Sequence, residues 1–259
     1  PDEMEPRDAY RLMLSLIVGW SFFMTVTTIL AGSITDALGL RRTLLIGMSL
    51  CVLTRFVMVL STNKLLALGC GLFPLAVGEA LCTPVLVAAM RRYSTPQQRS
   101  VAFSLFYALM NFGFMVGYFL FDGVREAMLD LGPLAVPLVD GGLSPFRVLL
   151  LVSLGVDLLM LPLILLLRRG VEMTADGLVA APEGHQYPGV GFWQKIRLTV
   201  RDGARDTART FAGLLKSEGF HRLLIFLLMI GLLKVVFNAM DYILPPFTLR
   251  ELGAGARVG

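Results

Sequence analysis

The sequence predicts an all-α integral membrane protein, and three observations carry that prediction. Hydrophobic residues make up 56% of the 259-residue chain and the mean hydropathy is +0.72, whereas soluble globular chains are about 45–50% apolar. The excess falls in runs long enough to cross a bilayer, which takes about 20 mostly apolar residues. Basic residues are concentrated on alternate connections between these runs, as the topology of a multi-pass membrane protein requires.

Six apolar segments meet the length requirement for a membrane span. In chain order they are residues 12–34, 44–60, 65–90, 101–121, 146–167 and 223–244. The start of the chain is acidic and lacks the apolar core of a signal peptide, so no cleavable signal is expected. The three cysteines all lie inside apolar runs, which favours a role as small packing residues over disulfides.

The charge distribution predicts the orientation of the spans. Fourteen of the 23 lysines and arginines fall on the connection around Arg41, the connection around Arg91, and the long loop that follows the fifth span. The positive-inside rule assigns these three connections to the cytoplasmic side, or to its topological equivalent. Because the net charge of +4 follows topology, no nucleic-acid partner is predicted.

The first connection carries a motif, Gly32-Ser-Ile-Thr-Asp36-Ala-Leu-Gly39-Leu-Arg41-Arg42. It resembles the signature loop between the second and third helices of major facilitator superfamily transporters, G-x3-D-x2-G-x-R-R. In that family the loop latches two helical bundles together when the carrier faces outward, which implies a conformational gate here. Glycine suits the close approach and tight turn of such a loop. A simpler interpretation of the paired arginines is topological anchoring, and both roles are compatible.

The resemblance implies a partial major facilitator bundle. Carriers of this type have two six-helix bundles joined by a long cytoplasmic loop, so the six spans correspond to helices two to seven. The implied organisation is an N-terminal bundle over 1–168, a cytoplasmic linker over 169–218, and the first helix of the C-terminal bundle over 219–259. The remaining helices are expected from the same or another chain, since Gly259 is not expected to be a natural end.

A second motif resembles that of proton-dependent oligopeptide transporters. Phe103-Ser-Leu-Phe-Tyr107-Ala-Leu-Met-Asn111-Phe-Gly113 matches their fifth-helix pattern F-S-x-F-Y-x3-N-x-G. Tyr107 and Asn111 are four residues apart and share one helix face, and Gly113 with Gly117 forms a small-x3-small pair that permits close helix contact. The alternative is that Asn111 only hydrogen-bonds a neighbouring helix.

The fourth helix matches the same family in part. Gly78-Glu79-Ala80-Leu81-Cys82-Thr83-Pro84 aligns with the pattern G-x-G-x2-K-P, but Thr83 stands at the lysine position. That lysine takes part in peptide and proton coupling in the family, so its replacement weighs against a peptide substrate. Ionisable groups at bilayer depth cost about 2.5–3.5 kcal/mol on insertion scales. Glu79, with Thr83 on its face, is therefore the predicted proton or cation site; alternatively Glu79 pairs with an arginine of helix one.

Two further sets of polar residues lie within predicted spans. Lys234, Asn238 and Asp241 recur at i, i+4 and i+7 and form one polar stripe on helix seven, which lines the cavity in this fold. The stripe is predicted to bind a zwitterionic or anionic substrate or to carry protons; otherwise Lys234 snorkels and Asp241 lies at the water boundary. Arg55 and Asp157 fall on helices that are peripheral in this fold, which favours a structural pair or headgroup contacts.

The long loop contains an amphipathic basic helix. Apolar or small residues recur at three- and four-residue spacing on one face, and four arginines recur every fourth residue on another: Ile196, Val200, Ala204, Thr207, Phe211 and Leu214 against Arg197, Arg201, Arg205 and Arg209. This pattern predicts a helix on the membrane surface. A solvated linker helix with internal charge pairs is the alternative. The Pro/Gly-rich stretch 172–191 before it is predicted to be flexible.

Together these patterns favour a secondary active transporter of a small organic solute, proton-coupled and working by alternating access within the lipid bilayer. The alternative is a truncated or split carrier relative that serves as a structural subunit of a larger membrane complex. No nucleophile elbow, phosphate loop or metal-ligand spacing is present in the sequence. An enzyme, a cofactor and a metal site are therefore not expected.

Overall fold

Eight α-helices and two small hairpins make up the described part of the chain in a computed structural model. The described residues are 6–132, 134–136, 139–167, 170–174, 177–180, 189–217 and 219–252. The helices are α1 (Pro6–Leu38), α2 (Leu40–Leu60), α3 (Lys64–Leu66), α4 (Phe73–Arg92), α5 (Arg99–Leu131), α6 (Pro145–Leu166), α7 (Phe192–Leu215) and α8 (Phe220–Leu252), with a π-helical segment Ala67–Leu72 between α3 and α4.

Five stretches of helix are long and apolar enough to cross a membrane, which confirms the predicted fold class and the first five predicted spans. They are Arg11–Asp36, Leu40–Leu60, Lys64–Arg92, Arg99–Met128 and Pro145–Leu166. The sixth predicted span, 223–244, lies within α8. Side chains at 237–246 fall outside the described ones, so that span stays a prediction.

The chain divides into two units, which are described separately. The first comprises Pro1–Phe106 and Pro133–Gly203, and the second comprises Tyr107–Gly132 and Ala204–Gly259. Within the first unit, α2 packs against both α4 and α6, and α1 packs against α4. The second unit holds most of α5, the end of α7 and the whole of α8.

Apolar side chains cover the outer surfaces of these helices. The most apolar 18-residue stretches of the α1 and α5 spans contain no buried residue, and α8 exposes its side chains throughout 221–236. A soluble protein rarely exposes apolar surface on this scale, whereas lipid chains solvate it without penalty. This surface is therefore the expected one for helices that face lipid.

The interior of the first unit lies where α2, α4 and α6 meet. Its buried apolar cluster consists of Leu40, Leu44, Cys82, Val85, Ala89 and Ile164. A smaller cluster, in which Val59 packs with Leu143 of β2, closes the other end of α2. The first unit therefore has α2 as its central helix, with a contact cluster at each end.

Both hairpins are antiparallel and lie in connections between helices. Strand β1 (Leu134–Val136) pairs with β2 (Val139–Leu143), and β3 (Val171–Thr174) pairs with β4 (Gly177–Ala180). The prediction of a flexible stretch over 172–191 is therefore wrong for residues 172–174 and 177–180. Val171 and Val179 favour strand geometry, and Gly177 takes φ 116 at the turn, which glycine tolerates best. Residues 181–188 lie outside the described part.

A π-helical segment precedes α4. Six residues, Ala67–Leu72, take this wider winding, and Pro74 follows within the first turn of α4. Proline has no N–H to donate, and its ring crowds the carbonyl four residues earlier, here Cys70. A local π turn relieves that crowding without ending the helix, so the third span continues unbroken from Lys64 to Arg92.

Two glycines allow α2 and α4 to approach closely. A Cβ added at Gly47 would lie 2.8 Å from Cys82 Sγ and 3.0 Å from the Gly78 carbonyl oxygen, and one at Gly78 would lie 2.7 Å from Cys51 Sγ. The contact is reciprocal, because each helix presents a glycine to the cysteine of the other. Only glycine fits at either position without displacing its neighbours.

We expect Gly78→Ala to destabilise the protein, because overpacking a tight contact costs about 1–3 kcal/mol. Gly155→Ala is the matched control, since an added Cβ on α6 meets nothing within 4 Å among the described atoms and alanine favours helix. Thermal unfolding in detergent should show a lower midpoint for Gly78→Ala only. Equal midpoints for the two variants would contradict the close approach.

Candidate functional site

Three ionisable side chains meet in the first unit, one from each of three membrane-spanning helices. Arg55 on α2 donates from Nη2 to Glu79 Oε1 on α4 at 2.9 Å. Its other terminal nitrogen, Nη1, donates to Asp157 Oδ2 on α6. One guanidinium thus ties two helices to α2, and we refer to Arg55, Glu79 and Asp157 as the charged triad.

The packing of α2 explains why the charged triad forms. Gly47, Cys51 and Arg55 recur every four residues, so they lie along one side of α2. The first two contact Gly78 and Cys82 of α4, and the third reaches Glu79. The glycine contact therefore brings the two backbones close enough for the guanidinium to bridge to the carboxylate on α4.

The triad is largely withdrawn from solvent and carries unequal charge. The side chains of Arg55, Glu79 and Asp157 are 15%, 31% and 12% exposed. With all three ionised, two carboxylates face one guanidinium, which leaves one excess negative charge. Such a charge within a membrane span is costly unless it is paired.

Glu79 and Thr83 lie one turn apart, as the sequence predicts. The Thr83 hydroxyl donates to the backbone carbonyl of Glu79 at 3.1 Å, a common use of threonine within helices. Thr83 is exposed on α4. Its hydroxyl is thus engaged with the main chain, while the Glu79 carboxylate is held by Arg55.

Sequence reasoning missed the link between Arg55 and Glu79. An Arg55–Asp157 structural pair is one of the two alternatives predicted for these residues, and the structure contains it. The sequence predicts that any arginine bound to Glu79 comes from the first helix of the family fold, which would precede α1, whereas the structure shows Arg55 of α2. One sequence signal could have revealed this link. The spans of α2, α4 and α6 each carry one ionisable residue far from the ends of the span.

The signature loop is compact and depends on one glycine. Gly39 alone separates α1 from α2 and takes φ 85, a conformation that favours glycine. Its N–H donates to the Thr35 carbonyl at 2.8 Å, and its carbonyl accepts from Thr43 N–H at 3.1 Å. The turn predicted at this glycine is present.

The other residues of the motif differ in their surroundings. Arg41 Nη1 donates to the Leu167 carbonyl at 3.4 Å, which ties the start of α2 to the end of α6. Arg42 and Asp36 are exposed. A Cβ added at Gly32 would meet nothing within 4 Å among the described atoms, so the close approach predicted there is not made within that part of the chain.

The remaining predicted site residues belong to the second unit. Tyr107 and Asn111 are exposed on α5, and Lys234 is exposed on α8. Asn238 and Asp241 also lie on α8, but their side chains are outside the described ones. An added Cβ at Gly113 or Gly117 would meet nothing within 4 Å in the described chain, so that pair makes no helix contact there.

No group of three or more His, Cys, Asp or Glu side chains in the described residues is placed to hold a metal ion. Five helices long enough to span a membrane, paired arginines at the start of the second, and a charged triad among three of them define a multi-pass membrane protein. The family model of the Major Facilitator Superfamily matches residues 9–259. The chain therefore belongs to the major facilitator superfamily, whose members are transporters.

Searches among curated proteins and among solved structures each gave no match. The family match supports transport of a small solute across a bilayer as the general activity.

We expect Arg55→Gln to destabilise the protein by about 3–5 kcal/mol, because the variant leaves two carboxylates without their cation. Arg11→Gln is the control, since the Arg11–Asp8 pair is 78% and 61% exposed and such pairs contribute about 0–1 kcal/mol. Thermal unfolding in detergent would compare the two variants. A triple variant with leucine at Arg55, Glu79 and Asp157 should recover most of the stability lost in Arg55→Gln. If the triple variant is as unstable as Arg55→Gln, unpaired carboxylates do not explain the loss.

Proposed function

We propose that the chain is part of a proton-coupled secondary transporter of a small organic solute that works by alternating access. Membership of the major facilitator superfamily supports the transport activity. The observation that carries the coupling proposal is the charged triad, with its two carboxylates on one guanidinium. The resemblance of the Phe103–Gly113 motif to proton-dependent oligopeptide transporters favours the proton as the coupling ion.

Within the triad, Glu79 is the proposed proton acceptor. Its side chain is more exposed than that of Asp157, at 31% against 12%, so it is the more accessible of the two carboxylates. A proton on Glu79 removes its charge and weakens the bond to Arg55. Asp157 keeps its pairing with Arg55, so the guanidinium retains one charged partner throughout.

The helices involved explain how a proton could be coupled to movement. The Arg55–Glu79 bond ties α4 to α2, and the Arg55–Asp157 bond ties α6 to α2. Protonation of Glu79 loosens the first tie and leaves the second in place. The proton thus changes the restraint on α4, whose displacement would open or close the central cavity during alternating access.

The substrate is proposed to contact polar residues of the second unit. Tyr107 and Asn111 on α5 offer a hydroxyl and an amide, and the stripe of Lys234, Asn238 and Asp241 on α8 offers one charge of each sign. Such a set suits a zwitterionic or anionic organic solute. Because Thr83 stands where oligopeptide transporters carry lysine, a peptide is not the substrate that we propose.

The proposed organisation retains an N-terminal bundle over 1–168, a linker over 169–218 and the first helix of a C-terminal bundle over 219–259. The signature loop, with Gly32, Asp36, Gly39, Arg41 and Arg42, is its proposed conformational gate. Further transmembrane helices, from the same or another chain, would complete the central site. An alternative role is that of a structural subunit in a larger membrane assembly, which the extensive exposed apolar surface of α8 favours.

We expect Glu79→Gln to abolish gradient-driven uptake in proteoliposomes while counterflow of labelled solute continues, since exchange needs no net proton movement. Glu126→Gln is the control, because Glu126 is an exposed acid near the end of α5 and should leave both rates unchanged. Driven uptake by the Glu79→Gln variant at the unaltered rate would remove Glu79 from coupling.

A protonophore should reduce uptake by the unaltered protein to the counterflow level, because it dissipates the driving gradient. Uptake that resists the protonophore but requires Na⁺ would assign the triad to a metal cation. Failure of every candidate solute to move in either assay, with the chain recovered in a stable larger complex, would favour the structural role.

A further inference from the structure

We propose that the first half of α7 is an interfacial helix that binds anionic phospholipids of the cytoplasmic leaflet through Arg197 and Arg201, with Trp193 inserted at headgroup depth. The proposal concerns a lipid-binding surface and is independent of proton coupling. It also separates the two interpretations that the sequence leaves open for this helix, a membrane-surface helix and a solvated linker.

The side of α7 that is buried within the first unit carries no apolar side chain among the described residues. Lys195, Thr199 and Gly203 recur every four residues, and all three are buried. At Gly203 the helix lies directly against Ser33 of α1, where an added Cβ would overlap the serine side chain. The apolar residues Ile196 and Val200 are only partly buried, so the packing contact does not use the apolar face.

The contact with Ser33 fixes the depth of α7 at Gly203. Ser33 lies five residues before the end of α1 at Leu38, which corresponds to about 7 Å along the helix axis. The signature loop follows at once and carries Arg41 and Arg42 at the predicted cytoplasmic boundary. Gly203, midway along α7, is therefore held close to the level of the lipid headgroups.

The faces of α7 match this position. With about 100° of rotation per residue, Trp193, Ile196, Val200 and Ala204 share one face, roughly a quarter-turn from the buried side. Arg197 and Arg201 lie on the side opposite the buried one and are exposed. The helix thus presents one side to protein, one to the acyl boundary and one to headgroups, as interfacial helices do.

Charge and side-chain chemistry identify the occupant as anionic lipid. Residues 192–215 contain five basic and two acidic side chains, so the helix is positive overall. Asp202 accepts from Arg201 Nε at 3.0 Å, yet the Arg201 side chain is still 70% exposed and its guanidinium has further donors for phosphate. Trp193 is 80% exposed, and tryptophan favours the membrane–water boundary.

The two tryptophans of the chain make a direct test possible. Trp20→Phe leaves Trp193 as the single tryptophan of the chain, and the protein is reconstituted in liposomes of equal phosphatidylglycerol and phosphatidylcholine. Brominated chains, which quench nearby tryptophan, are placed on one lipid or on the other at constant overall composition. The proposal predicts about twofold or greater quenching by brominated phosphatidylglycerol relative to brominated phosphatidylcholine, since anionic lipids gather beside basic residues.

Adding Arg197→Gln and Arg201→Gln to this protein should bring the quenching ratio close to one. Arg205→Gln with Arg209→Gln is the control of equal charge change, and it should keep the preference for phosphatidylglycerol. Trp193→Phe leaves Trp20 on α1 as a reporter and should show no preference. Equal quenching by the two lipids in the Trp20→Phe protein, or no quenching by either, would overturn the proposal.

Discussion

The interaction on which the first unit depends is the contact of α2 with α4 and α6 through a single arginine. Two ion pairs to Arg55 cross the two helix boundaries at which this unit packs most closely. In a bilayer, helices gain little from burying apolar surface, so close packing and polar bridges decide which faces meet. The reciprocal glycine–cysteine contacts supply the close packing, and the charged triad supplies the polar bridges.

The spans could be predicted from sequence because the bilayer imposes one constraint on all of them. Every backbone polar group must be satisfied within the segment, which requires a helix of sufficient apolar length. The predicted spans 44–60 and 146–167 therefore nearly coincide with the observed helices Leu40–Leu60 and Pro145–Leu166. No such constraint acts on the extramembrane connections, and the β3–β4 hairpin was missed for that reason.

The candidate site could be predicted only in part. A sequence shows how far a residue lies from the end of its span, but it does not show toward which neighbouring helix that residue points. Counted from the helix ends at Leu40, Arg92 and Leu166, which the charge pattern predicts to lie on one side of the membrane, the triad residues lie about 22, 20 and 14 Å along their helices. Similar depth makes their meeting possible, but the rotation of each helix decides whether it occurs. The paired Gly-x3-Cys spacing at Gly47–Cys51 and Gly78–Cys82 was the available clue to that rotation.

The composition of the triad bears on why it is charged at all. Replacement of a buried ion pair by apolar residues is often neutral or stabilising, so helix packing alone does not require ions. A purely structural cluster would also gain from equal charges, whereas here Glu79 and Asp157 share Arg55. The second carboxylate therefore raises the cost of the site in the membrane. Under the proposed coupling, that cost falls when the site takes up a positive charge and returns when the charge leaves, and exchange between two such states is what coupling to an ion gradient requires.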